Sequence, residues 1–81
     1  MELQLIQGKF TLQETVALLR EMVDVKIKFH ERKIATAASE EDMKFREKRI
    51  KDLQAEWQQF QTQLQQNERS ISLKAAVNVI F

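Results

Sequence analysis

An apolar seven-residue repeat in the second half of the sequence constrains the fold more than any other feature. The core residues that lie seven apart are Met43, Ile50, Trp57 and Leu64. Those at the alternate core position are Leu53 and Phe60. A helix with such a seam packs one narrow face against a neighbouring helix, as in a coiled coil. The sequence contains no proline to interrupt it. We therefore predict a helix over about residues 40–67, capped by Ser39 and three acidic residues.

The first half of the sequence predicts another helix, over about residues 12–36, with two apolar stripes. Thr11 and Glu14 fit a capping box at its start. The first stripe recurs at helical spacing and consists of Leu12, Val16, Leu19, Val23, Ile27 and Ile34. The second stripe, roughly 130° away around the axis, consists of Leu18, Met22, Val25 and Phe29. Because two stripes need two partners, we predict that the second stripe is an association surface.

The two ends of the sequence show the period-two alternation of strands. Leu3 and Leu5 predict a strand over about residues 2–6, and Gly8 then predicts a turn before the first helix. Apolar residues at every odd position predict a strand over about residues 71–81. A third helix is the alternative there, since several of the same residues also meet helical spacing.

The predicted elements give one mainly α domain over residues 1–81. A short connection after residue 35 makes the helices an antiparallel hairpin, so that the strands pair at its open end in the order β-α-α-β. A two-stranded ribbon is marginal in water, and a domain near the limit of ~80 residues rarely builds a sufficient core from two helices alone. We therefore predict a homodimer that forms a four-helix bundle.

The composition removes most catalytic chemistry. There is no cysteine, one glycine and one histidine, which excludes disulfides, thiol nucleophiles and glycine-rich phosphate loops. His30 lacks a second histidine four residues later, because position 34 is isoleucine, so a metalloprotease helix is absent. We interpret His30 as a packing residue on the first stripe. We predict no catalytic, metal or cofactor-binding residue, and a protein that is not an enzyme.

Basic residues are dense near the hairpin tip, although the net charge is only +1. Those on the second helix are Lys44, Arg46, Lys48, Arg49 and Lys51. They are the candidate nucleic-acid contacts of an alternative function, a nucleic-acid-associated regulator. Acidic residues stand four positions before several of them, which favours a solvated face of ion pairs instead.

Phe45 lies well off the heptad seam and has two interpretations. It covers the alanines of the connection, or it is an exposed anchor for a partner protein. The leading functional hypothesis is a small protein–protein interaction module that binds itself and another protein. The first residues lack the features of a signal peptide, and no apolar run approaches ~20 residues. We therefore expect a cytoplasmic protein with no membrane partner.

Overall fold

Two strands and two helices follow one another along the chain. A computed structural model describes residues 1–66 and 70–81. β1 spans Glu2–Phe10, α1 spans Leu12–Ala35, α2 spans Glu40–Gln65 and β2 spans Ile71–Asn78. The mainly helical β-α-α-β order predicted from the sequence is confirmed. Asn67, the last residue of the predicted second helix, lies outside the described residues.

Side-chain caps fix where both helices begin. The Thr11 hydroxyl accepts from the Glu14 backbone N–H at 3.1 Å, while the Glu14 carboxylate accepts from the Thr11 N–H at 2.9 Å. Ser39 Oγ accepts from the Asp42 N–H at 3.2 Å. Each cap satisfies donors that a helix start leaves without a partner. Because these contacts are local, the sequence predicts both helix starts well.

The two strands pair antiparallel as a ribbon. Phe10 pairs with Ile71 at one end, and Glu2 pairs with Asn78 at the other. The third helix considered for this segment is therefore wrong. The ladder closes where the Val79 N–H donates to the Met1 carbonyl at 2.8 Å. The final residues of the predicted strand, Ile80 and Phe81, have no strand opposite them and are exposed.

β1 is longer than predicted, because Gly8 lies inside it. Gly8 pairs with Leu73 and has a φ of +145°, a value that L side chains rarely adopt. The predicted strand end near residue 6 and the turn at Gly8 are both wrong. Glycine tolerates this backbone conformation, and β2 offers pairing partners as far as Ile71, so the strand continues to Phe10.

A β-bulge in β1 sets which side chains share a face. The pairing steps from Gln4 with Ala76 to Ile6 with Ala75, which leaves Leu5 as the extra residue. Paired residues share a face. The face that carries the apolar residues consists of Leu3, Ile6, Gly8 and Phe10 of β1, with Ile71, Leu73, Ala75 and Val77 of β2.

The ribbon lies along α1. Phe10 lines a groove with Glu14, near the start of α1, and Leu5 lines another with Phe29, near its end. The strands were predicted to pair at the open end of the hairpin; they start there but fold back beside α1. The reason is that this position lets the apolar face of the ribbon and the second stripe cover each other in part.

Little of the chain is fully buried. Ile6 is the one apolar side chain in the described ranges below a tenth exposed, at 6%, and Thr15 and His30 are the buried polar ones. The Cα atoms occupy 46 × 32 × 14 Å, so the molecule is flat. In a body this thin, most side chains have neighbours on one side only.

Candidate association surface

The second stripe forms an exposed apolar ridge on α1. Leu18 and Met22 are half-buried, while Val25 is 65% exposed and Phe29 is 41% exposed. α2 packs against the first stripe on another side of the helix, and its Arg46 guanidinium approaches one of these residues, 6.0 Å from the Phe29 ring. The ribbon covers them in part. The predicted association surface is therefore most exposed at Val25 and Phe29.

Two joined grooves run between this ridge and the ribbon. One, of about 330 Å³, is lined by Leu5, Leu18, Glu21, Met22 and Val25. The other, of about 490 Å³, shares three of these residues and adds Lys26, Phe29, Arg32 and Val77. We call the walls of both grooves the α1–ribbon surface. Its centre is apolar and its ends carry charge.

Sequence reasoning missed Leu5 and Val77, the two ribbon residues of the α1–ribbon surface. Both belong to the apolar alternation of their strands, so they were expected in the ribbon. Nothing in the period-two pattern says which helix face the ribbon lies beside. The fold-back of the ribbon along α1 is what adds them to the surface.

Cations surround Phe29 at one end of the surface. The Nζ atoms of Lys26 and Lys33 each lie 5.8 Å from the centre of the Phe29 ring, and the Arg46 guanidinium lies 6.0 Å from it. These distances are at the outer range of cation–π attraction. The other end carries acids, since Glu14 and Glu21 line a third groove there with Phe10. The charge along the surface therefore changes from negative near the start of α1 to positive near its end.

His30 lies between the helices and contacts Arg46. It is 5% exposed, and its Nδ1 lies 3.2 Å from Nη1 of Arg46. Because arginine can only donate, Nδ1 accepts, and the neutral ring carries its proton on Nε2. Nε2 has no hydrogen-bond partner among the described residues. Asp42 in turn holds Arg46 with an ion pair at 3.4 Å.

Burial lowers the pKa of the His30 imidazole, and three nearby cations lower it further. Those cations are Lys26 of α1 and Arg46 and Arg49 of α2. Both effects disfavour the charged ring. His30 therefore serves as a neutral packing residue in the helix interface, in agreement with the interpretation from sequence.

A smaller apolar groove lies between the two helices. It measures about 210 Å³, and its lining residues are Leu19, Val23, Leu53, Glu56, Trp57 and Phe60. All of them except Glu56 belong to the first stripe of α1 or the seam of α2, so the two patterns face each other. Trp57 is half-buried here.

The five basic candidates on α2 do not share one face. Lys44, Lys48 and Lys51 lie at steps of four and three residues, so they share one exposed side. Arg46 turns instead toward His30. The three lysines form no ion pair within the described part of the chain; of the predicted pairs only Asp42 with Arg46 is formed. A nucleic-acid interface stays a prediction, now centred on the three lysines.

Phe45 is 60% exposed on α2. Of the two alanines that the first interpretation has it cover, Ala37 is half-buried and Ala38 is exposed. Both interpretations of Phe45 stay predictions. Phe45 is not one of the residues that line the two grooves of the α1–ribbon surface.

The described residues offer little that points to other classes of site. Residues 1–66 and 70–81 contain no group of three or more histidine and carboxylate side chains placed to hold a metal ion. Within the same ranges, neither helix is both long and apolar enough to cross a bilayer. No protein-family model matches the sequence, and neither a curated protein nor a solved structure shows significant similarity to it.

Proposed function

We propose that this chain is a non-enzymatic protein–protein interaction module that works as a homodimeric helical scaffold. The α1–ribbon surface is the site of self-association. Two copies bring four helices together, as in the four-helix bundle predicted from the sequence. We place the module in the cytoplasm, in keeping with a sequence that contains no cysteine.

The surface area of the single chain carries this proposal. The chain exposes 6793 Å². A compact monomer of 9.6 kDa exposes about 5,100 Å² by the usual scaling with mass. The excess, about 1,700 Å², falls within the area that each partner of an obligate homodimer buries, about 1,000–2,500 Å². A second copy therefore supplies the contact area that one chain lacks.

The chemistry of the α1–ribbon surface supports the same function. Its exposed centre consists of Val25, Phe29 and Val77, whose side chains carry no polar atom. Apolar centres with charged rims are typical of protein interfaces. The groove between the helices is apolar as well, but it is less than half the size of the larger groove beside α1.

Substitution of Val25 by glutamate tests the function. Val25 is 65% exposed in one chain, so the change costs a monomer little. In a dimer it places two carboxylates in an apolar interface. We expect the dissociation constant to rise at least about 100-fold, measured by size-exclusion chromatography with light scattering.

Ala55→Glu is the matched control. Ala55 is exposed on α2, roughly 160° around the helix from Trp57 of the seam. Ala55→Glu introduces the same charge on the side of α2 opposite the seam, and we expect the dimer to persist. Circular dichroism of both variants reports their helicity. A native dimer retained by Val25→Glu would contradict the proposed function.

A further inference from the structure

The second stripe is symmetric about its own centre. Leu18 and Phe29 lie at equal distances on either side of the midpoint between Met22 and Val25. Consider a two-fold axis that passes through that midpoint and is perpendicular to α1. Rotation about this axis brings each apolar residue of one stripe to the height of an apolar residue of the other stripe. Leu18 of one chain then meets the partner's Phe29, and Met22 meets the partner's Val25. Such a surface is complementary to itself, as an isologous interface requires.

The charge of α1 changes sign close to the same midpoint, between Asp24 and Lys26. Before Val25, the charged residues of α1 are three acids and one base: Glu14, Glu21, Asp24 and Arg20. After it they are four bases and one acid: Lys26, Lys28, Arg32, Lys33 and Glu31. Two parallel α1 helices would place like charges together. Two antiparallel helices place the acidic half of each against the basic half of the other.

The charged residues on the walls of the grooves follow the same polarity. Glu14 and Glu21 line the groove at the start of α1, and Arg32 lines the groove at its end. The side chains of Glu14, Glu21 and Arg32 lie within about 20° of one another around the helix. Antiparallel pairing therefore brings Glu14 of one chain close to the partner's Arg32, on the same side of the interface.

We propose that the partner on the α1–ribbon surface is a second copy of this chain whose α1 runs antiparallel to the first. The two-fold axis passes between Met22 and Val25, and Leu5 and Val77 form the outer walls of each groove. This inference rests on the self-association proposed above and adds its orientation and register. Both the apolar symmetry of the stripe and the charge polarity of α1 carry it.

Cysteine cross-linking tests the orientation, because the natural sequence has no cysteine. The double variant Ala17→Cys, Arg32→Cys is compared with each single variant after treatment with a short bis-maleimide reagent. Ala17 and Arg32 both line the grooves. Within one chain they lie roughly 22 Å apart along α1, beyond the reach of the reagent. We expect a cross-linked dimer from the double variant alone.

The outcomes separate the orientation from the proposed function. Cross-linking of either single variant would indicate parallel helices and overturn the inference. A double variant that sediments as a dimer but does not cross-link would overturn it too, and would leave self-association intact. A wild-type chain that sediments as a folded monomer would overturn the proposed function itself.

Charge reversal gives a second test at exposed positions. In the antiparallel dimer, Arg32→Glu puts a carboxylate opposite the partner's Glu14 at both symmetry-related contacts. We expect the dissociation constant to rise about 5- to 10-fold. Arg20→Glu is the control, since Arg20 lies on another side of α1. We expect it to change the constant less than about two-fold. Equal effects of the two variants would contradict the proposed register.

Discussion

At the scale of single residues, His30 shows what the sequence reveals and what it leaves open. Helical spacing places His30 on the first stripe, and the structure finds it buried between the helices. Its partner Arg46 stands seven residues before Leu53, at the alternate core position of the heptad repeat, and that spacing indicates an inward position. The contact itself could not be predicted, because it depends on how α2 is rotated against α1.

The burial of His30 predicts how stability changes with pH. Burial and the cations Lys26, Arg46 and Arg49 hold the pKa of His30 below its ordinary value of 6.5. The unfolded chain then binds a proton more readily than the folded chain as the pH falls through 6.5. Stability is therefore full above that pH and decreases below it, until the lowered pKa of the folded state is reached.

We expect the melting temperature to fall between about pH 7.5 and about pH 5.5, the range in which histidine titrates. His30 is the only histidine, so His30→Gln should flatten this slope. Thermal melts followed by circular dichroism measure both proteins. An equal slope in the variant would show that His30 does not cause the pH dependence.

At the scale of the elements, the helices follow from local rules and the ribbon does not. Thr11 and Ser39 cap the helices with residues three positions ahead, so sequence patterns locate both starts. Gly8 shows the opposite case. Alone, glycine indicates a turn, and only the partner strand, through Leu73, keeps it in β1. The length of β1 is therefore set by pairing with residues that lie far away in the sequence.

The positive φ of Gly8 predicts the cost of adding a side chain there. A Cβ at Gly8 would lie 3.9 Å from the Phe10 ring, an ordinary contact, so space is not the limit. The limit is the φ of +145°, since alanine rarely adopts this value. We expect Gly8→Ala to lower the free energy of unfolding by about 1–3 kcal/mol, measured by urea denaturation.

Gln7→Ala is the control for this substitution. Gln7 is an exposed neighbour in the same strand, paired with Lys74, and its φ is not positive. We expect it to change the free energy of unfolding by less than about 0.5 kcal/mol. If the two variants proved equally stable, β1 would not need glycine at position 8.

At the scale of the whole molecule, the main prediction from the sequence is that α1 carries more apolar surface than one neighbouring element can cover. The two stripes of α1 predicted two partners, and the structure supplies α2 for one and the ribbon, in part, for the other. The place of the ribbon could not be read from its alternation, because a strand pattern does not name the helix beside it. The part of the second stripe that the ribbon leaves exposed, chiefly Val25 and Phe29, belongs to the α1–ribbon surface.

The central claim is that this exposed surface is covered by a second copy of the chain. Sedimentation velocity of the wild-type protein tests it most directly, over a dilution series from about 100 µM to about 1 µM, with circular dichroism of each sample. We predict a helical particle of twice 9.6 kDa across the series. A well-folded, helical particle of 9.6 kDa at every concentration would contradict the claim.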